Sequence, residues 1–414
     1  MLSKAKKARI ISRVRLVSAM ILIALEFTDL FWFLTAYSEP NQHVRQVRRL
    51  AISPYAIQFA TYAIAAFVIM LDFGTFKRLL AKPVVRWVLV TLALYTWGMI
   101  VRTFDYPGGI PDYIFLRVFG LQIHFLVALL AFVVIFDDAE IVWSAKKAVA
   151  IATMVGVGLN LYEVFYPETF SVVSGRAAGF YGNSNESGMA LVIGLLISLP
   201  AVQRRWREAF IMVTFAGVAV TFSREAVLAI LVVVVAAAMA RALSPKRLLM
   251  TAGLCALLFA TFGVAQMMRQ NKVLNSDTLS RATLGTRDAS IRDRLRVAQR
   301  ALAVFEANPL LGEGFGTGAY WNDEQTHNLY LSLLADYGII GLLVIPALVW
   351  SVRRRSWDSY AFAVVFLLWC FFDHGIFSYS FALISLAIQA DEGQGVSGLS
   401  WDVRHVDDLV YEAS

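Results

Sequence analysis

Apolar runs long enough to cross a bilayer recur along most of this chain, and that recurrence leaves few folds open. A hydrocarbon core about 30 Å thick takes about 20 helical residues. Inside it every backbone polar group must find a partner, which within a single apolar run means a helix. Runs of this kind fall at 16–36, 54–71, 84–101, 113–136, 146–166, 187–200, 206–222, 225–240, 248–266, 328–350, 359–372 and 375–390. The expected fold is an all-α polytopic membrane protein with about twelve transmembrane helices. Composition agrees, since 58% of the 414 residues are hydrophobic and 16% charged, against ~25% charged in soluble domains.

The charges that remain set an orientation. Lys and Arg gather in short cytoplasmic connections, and here they cluster at Lys4 to Arg15, Lys77 to Arg86, Lys146 and Lys147, Arg204 to Arg207, Arg241 to Arg247 and Arg353 to Arg355. Counting helices from the inside makes each of these turns cytoplasmic and both termini cytoplasmic. The N-terminal "MLSKAKKARIISRVR" resembles the start of a signal peptide, but Glu26 and Asp29 interrupt the run behind it, so an uncleaved first helix is expected. The short outer connections carry Arg45, Arg48, Arg49, Arg102, Arg176 and Arg224, and one long outer segment spans 267–326. With no fixed-period repeat, residues 1–414 read as a single membrane domain, with 267–326 an inserted periplasmic loop between helices nine and ten and 391–414 a cytoplasmic tail. The net charge of +7 sits in turns rather than on one folded face, which argues for orientation and contact with membrane lipids, not nucleic acid. Cys255 and Cys370 lie in apolar stretches without a C-x-x-C partner, so neither a disulfide framework nor a zinc site is expected.

In this topology the polar stretches collect on the outer face. "SGRAAGFYGNSNESG" brings Arg176, Asn183 and Asn185 ahead of helix six, and "TFSRE" places Arg224 in a tight turn where a guanidinium can reach the interface. "DRLRVAQRALAVFEANPLLGEGFG" carries Arg294, Arg296 and Arg300, with Arg292 just before it, and its apolar stripe of Leu295, Ala298, Leu302 and Phe305 predicts an amphipathic helix along the membrane surface, ending before Asn308-Pro309. "GEGFGTG" follows no strand and fits neither glycine fingerprint of a nucleotide site. "THNLYLSLLADYGIIGLL" opens helix ten with His327 and Asn328, and Gly338 and Gly341 further along would allow close helix approach. "DHGIFS" adds Asp373 and His374. A histidine titrating near neutrality can accept a proton from a hydroxyl, and guanidinium groups stabilise phosphate. Together they point to chemistry on a phosphate-linked substrate. Within the membrane, Arg117 and His124 share a face of helix four with Glu26, Asp29 and Glu163 elsewhere, read as structural pairing with Arg117 and Glu163 as candidate pocket walls.

These motifs together resemble the O-antigen ligase and O-antigen polymerase superfamily, which includes exopolysaccharide polymerases. The match rests on His-Asn followed by Gly-x-x-Gly in "HNLYLSLLADYGIIG", the Arg…Pro-Leu-Leu-Gly-x-Gly segment, the Ser-Arg of "TFSRE" and the Arg…Gly…Asn-x-Asn of "GRAAGFYGNSNESG". It covers about 174–345, with Ala298 where many members have an aromatic residue and Asp336 where glutamate is more usual. The resemblance implies a GT-C-like, metal-independent and inverting glycosyltransferase of the bacterial inner membrane, its active site facing the periplasm and without a cofactor. It would move a glycan from a polyprenyl-pyrophosphate carrier to a glycan or lipid A-core acceptor. Carried over to this chain, it implies His327 as the general base and Arg224, Arg294 and Arg176 as pyrophosphate binders. Asn185, Asn328, Arg292, His374 and Arg117 are further candidate pocket residues.

A twelve-helix transporter or an exporter of a lipid-linked sugar is the alternative, but a transporter should show matching halves with polar breaks near mid-membrane. The outer-face reading makes a direct prediction. In a background with Cys255 and Cys370 replaced, a cysteine at position 327 should react with a membrane-impermeant thiol reagent applied from the periplasmic side; labelling only from the cytosol contradicts it.

Overall fold

The computed structural model describes residues 4–35, 52–105, 112–172, 175–258, 289–317, 326–353 and 356–391. Among them no strand occurs. The helices in chain order are α1 (Lys4–Leu22), α2 (Leu30–Thr35), α3 (Ala56–Leu71), α4 (Phe73–Ala81), α5 (Pro83–Asp105), α6 (Asp112–Ile135), α7 (Ala139–Phe165), α8 (Ser184–Ser198), α9 (Arg207–Ala219) and α10 (Arg224–Met239). They continue with α11 (Pro245–Leu258), α12 (Ala289–Ala307), α13 (Leu329–Gly341), α14 (Val344–Val352), α15 (Trp357–Phe372) and α16 (Ser380–Asp391). Four helices are long and apolar enough to cross a membrane, at Pro83–Thr103, Val118–Ile135, Ala139–Phe165 and Ser184–Ala201. Two bent pairs, α3 with α4 at 109° and α13 with α14 at 85°, bring that number to six. Half of the expected periplasmic loop, and the expected tail after Asp391, lie outside the described residues.

Local chemistry sets the helix boundaries. Asp138 caps α7 by accepting from the N–H groups of Glu140 and Ile141, and Asp72 caps α4 through Gly74. Each satisfies a donor that a helix start leaves open. Pro83 stands at the first position of α5, where its missing N–H costs nothing. The first apolar run is interrupted at Asp29, whose φ of 58° separates a short π-helical turn from α2.

At the centre stands α8, buried along almost its whole length. It packs on α7, α9, α10 and α15. Glycine makes two of those approaches, since a Cβ on Gly188 would lie 2.7 Å from the Ala226 Cβ, and one on Gly194 would overlap the Thr153 hydroxyl.

At one end of the bundle Asp137, between α6 and α7, receives Lys82 Nζ at 2.6 Å, Arg15 at 3.4 Å and Arg78 at 3.7 Å. Lys146 meets Asp358 at 3.9 Å. Basic residues from two of the turns assigned to one side by loop charge, the N-terminal one and 77–86, therefore meet at Asp137. Removing one partner of such a buried cluster costs about 3–5 kcal/mol.

The expected tenth helix is broken. Gly338 has φ 60° and ψ −150°, inside what would otherwise be one run, a conformation that is essentially restricted to glycine. The opening frees carbonyls of α13, and the Pro-Leu-Leu-Gly segment takes them. Glu313 N–H donates to Ala335 O (2.9 Å), Gly314 N–H to Asp336 O (3.0 Å), and Ile339 N–H donates in return to Pro309 O (2.9 Å). Gly316 N–H reaches Asp336 Oδ2 (3.0 Å), and Phe315 N–H reaches Gly98 O on α5 (3.0 Å). The glycines expected to bring helices together thus admit an extended segment instead.

The amphipathic helix appears as α12, with Val297 and Ala301 buried and Leu295 and Leu302 exposed. The helix packs on α13 through a face other than the apolar stripe legible in the sequence. A Cβ at position 338 would stand 2.5 Å from the Leu310 carbonyl carbon. Gly338→Ala should therefore lower stability by about 2 kcal/mol or more, read as a drop in the thermal unfolding midpoint in detergent.

Candidate functional site

The site begins where helices begin. The first turns of α8 and α10 lie side by side, because a Cβ on Gly188 would also meet the Ser223 Cβ at 3.2 Å. Asn183 caps α8 by accepting from Asn185 N–H, Ser223 caps α10 and Asn328 caps α13 through Leu331 N–H (3.1 Å). All three helices pack on α15, whose C-terminal end leads into Asp373 and His374. Helix N-termini carry about half a positive charge each and favour anions.

Arg176 is buried and ties two of these starts together. Its Nε donates to Thr221 O (2.8 Å) and a terminal nitrogen donates to Asn185 Oδ1 (2.5 Å). Arg224 is the first residue of α10, half-buried beside that turn. Glu163 organises the segment that carries Arg176, since its carboxylate accepts from the N–H groups of Phe170, Ser171, Ala178 and Gly179 at 2.6–2.9 Å. It is a loop anchor, and with Arg176 it lines a small surface pocket.

On the other side of α8, Glu186 hydrogen bonds with Tyr379, and the Tyr379 hydroxyl donates to Asp373 Oδ2 (3.0 Å). Asp373 also accepts from Gly375 N–H (2.8 Å) and lies 3.9 Å from His374 Nδ1. His374 in turn meets His327 edge to face, with ring centroids 5.7 Å apart. Contacts thus run from Arg176 and Asn185, through neighbouring Glu186, to the two histidines.

His327 adopts φ 48°, the left-handed region that costs a residue with a side chain on the order of 1–3 kcal/mol and tends to persist at functional positions. The strain lets Asn328 turn into its capping geometry and leaves the imidazole exposed at the mouth of the site. Partial desolvation, and then the Arg294 guanidinium, push its pKa below the ordinary histidine value, while the Asp373 carboxylate opposes them. The ring is therefore neutral at neutral pH. Burial pushes His374 down as well, with Asp373 again opposing.

Of the residues singled out in the sequence, the structure brings His327, His374 and Arg294 into one electrostatic group and joins Arg176 to Asn185. Asn328 serves as a helix cap. The side chains of Arg117 and Arg292 lie outside the described residues. Sequence reasoning missed Glu186 and Tyr379, although Asn-x-Asn-Glu at a helix start was a usable signal. His124 contacts Gln58 and Tyr62, and Gln58 joins Glu26 and Ser380, so His124 and Glu26 share one polar network. A cavity of about 460 Å³ opens with His374 on its wall and His327 one ring away, 5.7 Å between centroids.

Residues 209–346 match the family model described as O-Antigen ligase. This segment is of the O-antigen ligase family. It contains Arg224, Arg292, Arg294, His327 and Asn328, whereas Arg117, Arg176, Asn185 and His374 lie outside it. With several helices apolar enough to cross a bilayer, the protein is a membrane protein. No curated protein and no solved structure matches the chain.

The electrostatics around His327 predict opposite responses to two substitutions. Asp373→Asn removes the charge that favours the imidazolium, so the ring should titrate at lower pH. Arg294→Gln removes the charge that disfavours it, so the ring should titrate at higher pH. NMR of ring-labelled histidine, with five histidines to assign, reads both shifts.

Proposed function

We propose that this protein is a glycosyltransferase of the O-antigen ligase or polysaccharide polymerase type, moving a glycan from a polyprenyl-pyrophosphate carrier to an acceptor hydroxyl. It acts in the bacterial inner membrane on the periplasmic side, with both termini in the cytoplasm. The chain crosses the bilayer twelve times, each bent pair counting as one crossing and the shorter helices included. The observation that carries the proposal is the grouping of His327 and Arg294, both inside the segment that matches the family, with the His374 ring 5.7 Å away and Asp373 beside it. The match does not favour the transporter alternative.

The chemistry follows from these groups. The acceptor oxygen attacks the anomeric carbon while its proton passes to the His327 imidazole. The bond from that carbon to the pyrophosphate oxygen breaks, and the electron pair leaves with the carrier pyrophosphate. Negative charge grows on the leaving group, so guanidinium groups already in place at Arg224, Arg294 and Arg176 lower the barrier by several kcal/mol. The N-terminal ends of α8 and α10 add to the same field. A single displacement inverts the anomeric centre, and no metal ion takes part. A ligase and a polymerase share this step and differ in the acceptor that enters.

The test is transfer by the purified protein in vesicles, with a polyprenyl-pyrophosphate-linked glycan as donor. His327→Ala should lower turnover by about 10²–10⁴-fold, the usual contribution of a positioned base, and Arg224→Ala should abolish transfer while the protein still inserts. His327→Gly should be as inactive as the alanine variant yet at least as stable as the native protein, because glycine relieves the left-handed backbone. Near-normal turnover in Arg224→Ala or in His327→Ala overturns the proposal.

A further inference from the structure

The cavity beside the histidine pair has a character that the transfer step alone does not explain. Its volume of about 460 Å³ falls in the range of roughly 300–1,000 Å³ typical of small-molecule sites. Asp29, Glu186 and Asp336 line it, and His374 stands at its wall, whereas Arg176, Arg224 and Arg294 do not line it. Two polar atoms on that wall are buried without a hydrogen bond among the described residues, the Tyr337 hydroxyl and His374 Nδ1. Tyr337 is only 2% exposed. Its ring stacks on Tyr95 with centroids 5.9 Å apart and planes 14° from parallel, and Trp32 adds a further aromatic surface.

Carboxylates in an otherwise apolar bundle are retained where something uses them. A buried hydroxyl without a partner costs about 1–3 kcal/mol unless a ligand satisfies it. Carboxylate oxygens are strong acceptors for hydroxyl groups, and aromatic faces cover the apolar face of a pyranose ring. No lysine or arginine lines the cavity among the described residues, so a pyrophosphate or an acidic sugar buried there would find no counter-charge, which is costly. In a single displacement the entering oxygen and the leaving pyrophosphate lie on opposite sides of the anomeric carbon. With the leaving group held by the arginines, the entering group belongs on the carboxylate side.

Resting on the transferase reading, we infer that this cavity binds the acceptor sugar next to His327 and admits neutral or amine-bearing sugars while rejecting anionic ones. Tyr337 donates to a sugar hydroxyl, Asp29 and Glu186 accept from others, and Asp336, fixed by Gly316 N–H at 3.0 Å, closes the inner wall.

The experiment uses the full chain in vesicles with a polyprenyl-pyrophosphate-linked glycan as donor and the source cell's own glycolipid as acceptor. Methyl glycosides of glucose, galactose, mannose, N-acetylglucosamine and glucuronic acid serve as competitors. At least one neutral glycoside should compete with acceptor and not with donor, and the glucuronide should be weaker by roughly tenfold or more, since its carboxylate would be buried without a counter-charge. Tyr337→Phe should raise the acceptor KM about tenfold, the scale of one hydrogen bond, with the donor KM and the thermal midpoint unchanged. A merely structural tyrosine would move the midpoint instead. A glucuronide as effective as the neutral sugars, competition with donor, failure of every neutral glycoside to compete, or an unchanged acceptor KM in Tyr337→Phe each overturns the cavity assignment alone. Absence of transfer by the native protein overturns the transferase reading beneath it.

Discussion

The hydrogen bonds that residues 309–317 make to the opened turn of α13 hold the geometry on which the site depends. Backbone that leaves the helix at membrane depth is tolerated only where protein re-satisfies it. Here the break at Gly338 exposes carbonyls of Ala335 and Asp336, and the incoming segment covers them with N–H groups of Glu313 and Gly314. That lacing fixes the rotation of α13. It therefore sets where His327 emerges at one end and where Asp336 faces at the other. The three glycines of the segment are there for packing, since a Cβ at Gly312 or Gly314 would run into the backbone of α13 or α5.

Charge is sorted along the molecule. At one face Asp137 gathers Lys82, Arg15 and Arg78 into a cluster that pins the turns of several helices. At the other, helix N-termini and arginines form a field suited to anions, with carboxylates in the cavity next to it. The two histidines stand at the boundary between these fields: partial burial and then Arg294 disfavour the proton on His327, and Asp373 opposes them.

Much of this was legible before any coordinates. Apolar runs such as 113–136 and 146–166 were legible as helices, because they admit no other backbone in lipid, and four to six of the described helices or bent pairs are long and apolar enough to span. His327 and His374 were legible as polar residues at helix ends, and Arg294 as one arginine of an amphipathic helix. The break at Gly338 was not, because Gly-x-x-G reads equally as a close helix crossing and as a backbone reversal. Asp29, Glu186 and Asp336 were scattered over three hundred residues and gained meaning only when α2, α8 and α13 met. The face by which α12 packs on α13 was not legible for a related reason, since a stripe of leucines marks what avoids water and does not say whether protein or lipid receives it.

The walls of the cavity come from widely separated parts of the chain, from Trp32 on α2 to Phe381 on α16. The histidine and its arginine are laid down earlier, within residues 209–346. During synthesis His327 is thus laid down before the last wall beside it exists. A nascent chain halted ahead of α16 carries His327 and Arg294 without the side of the cavity that Phe381 supplies.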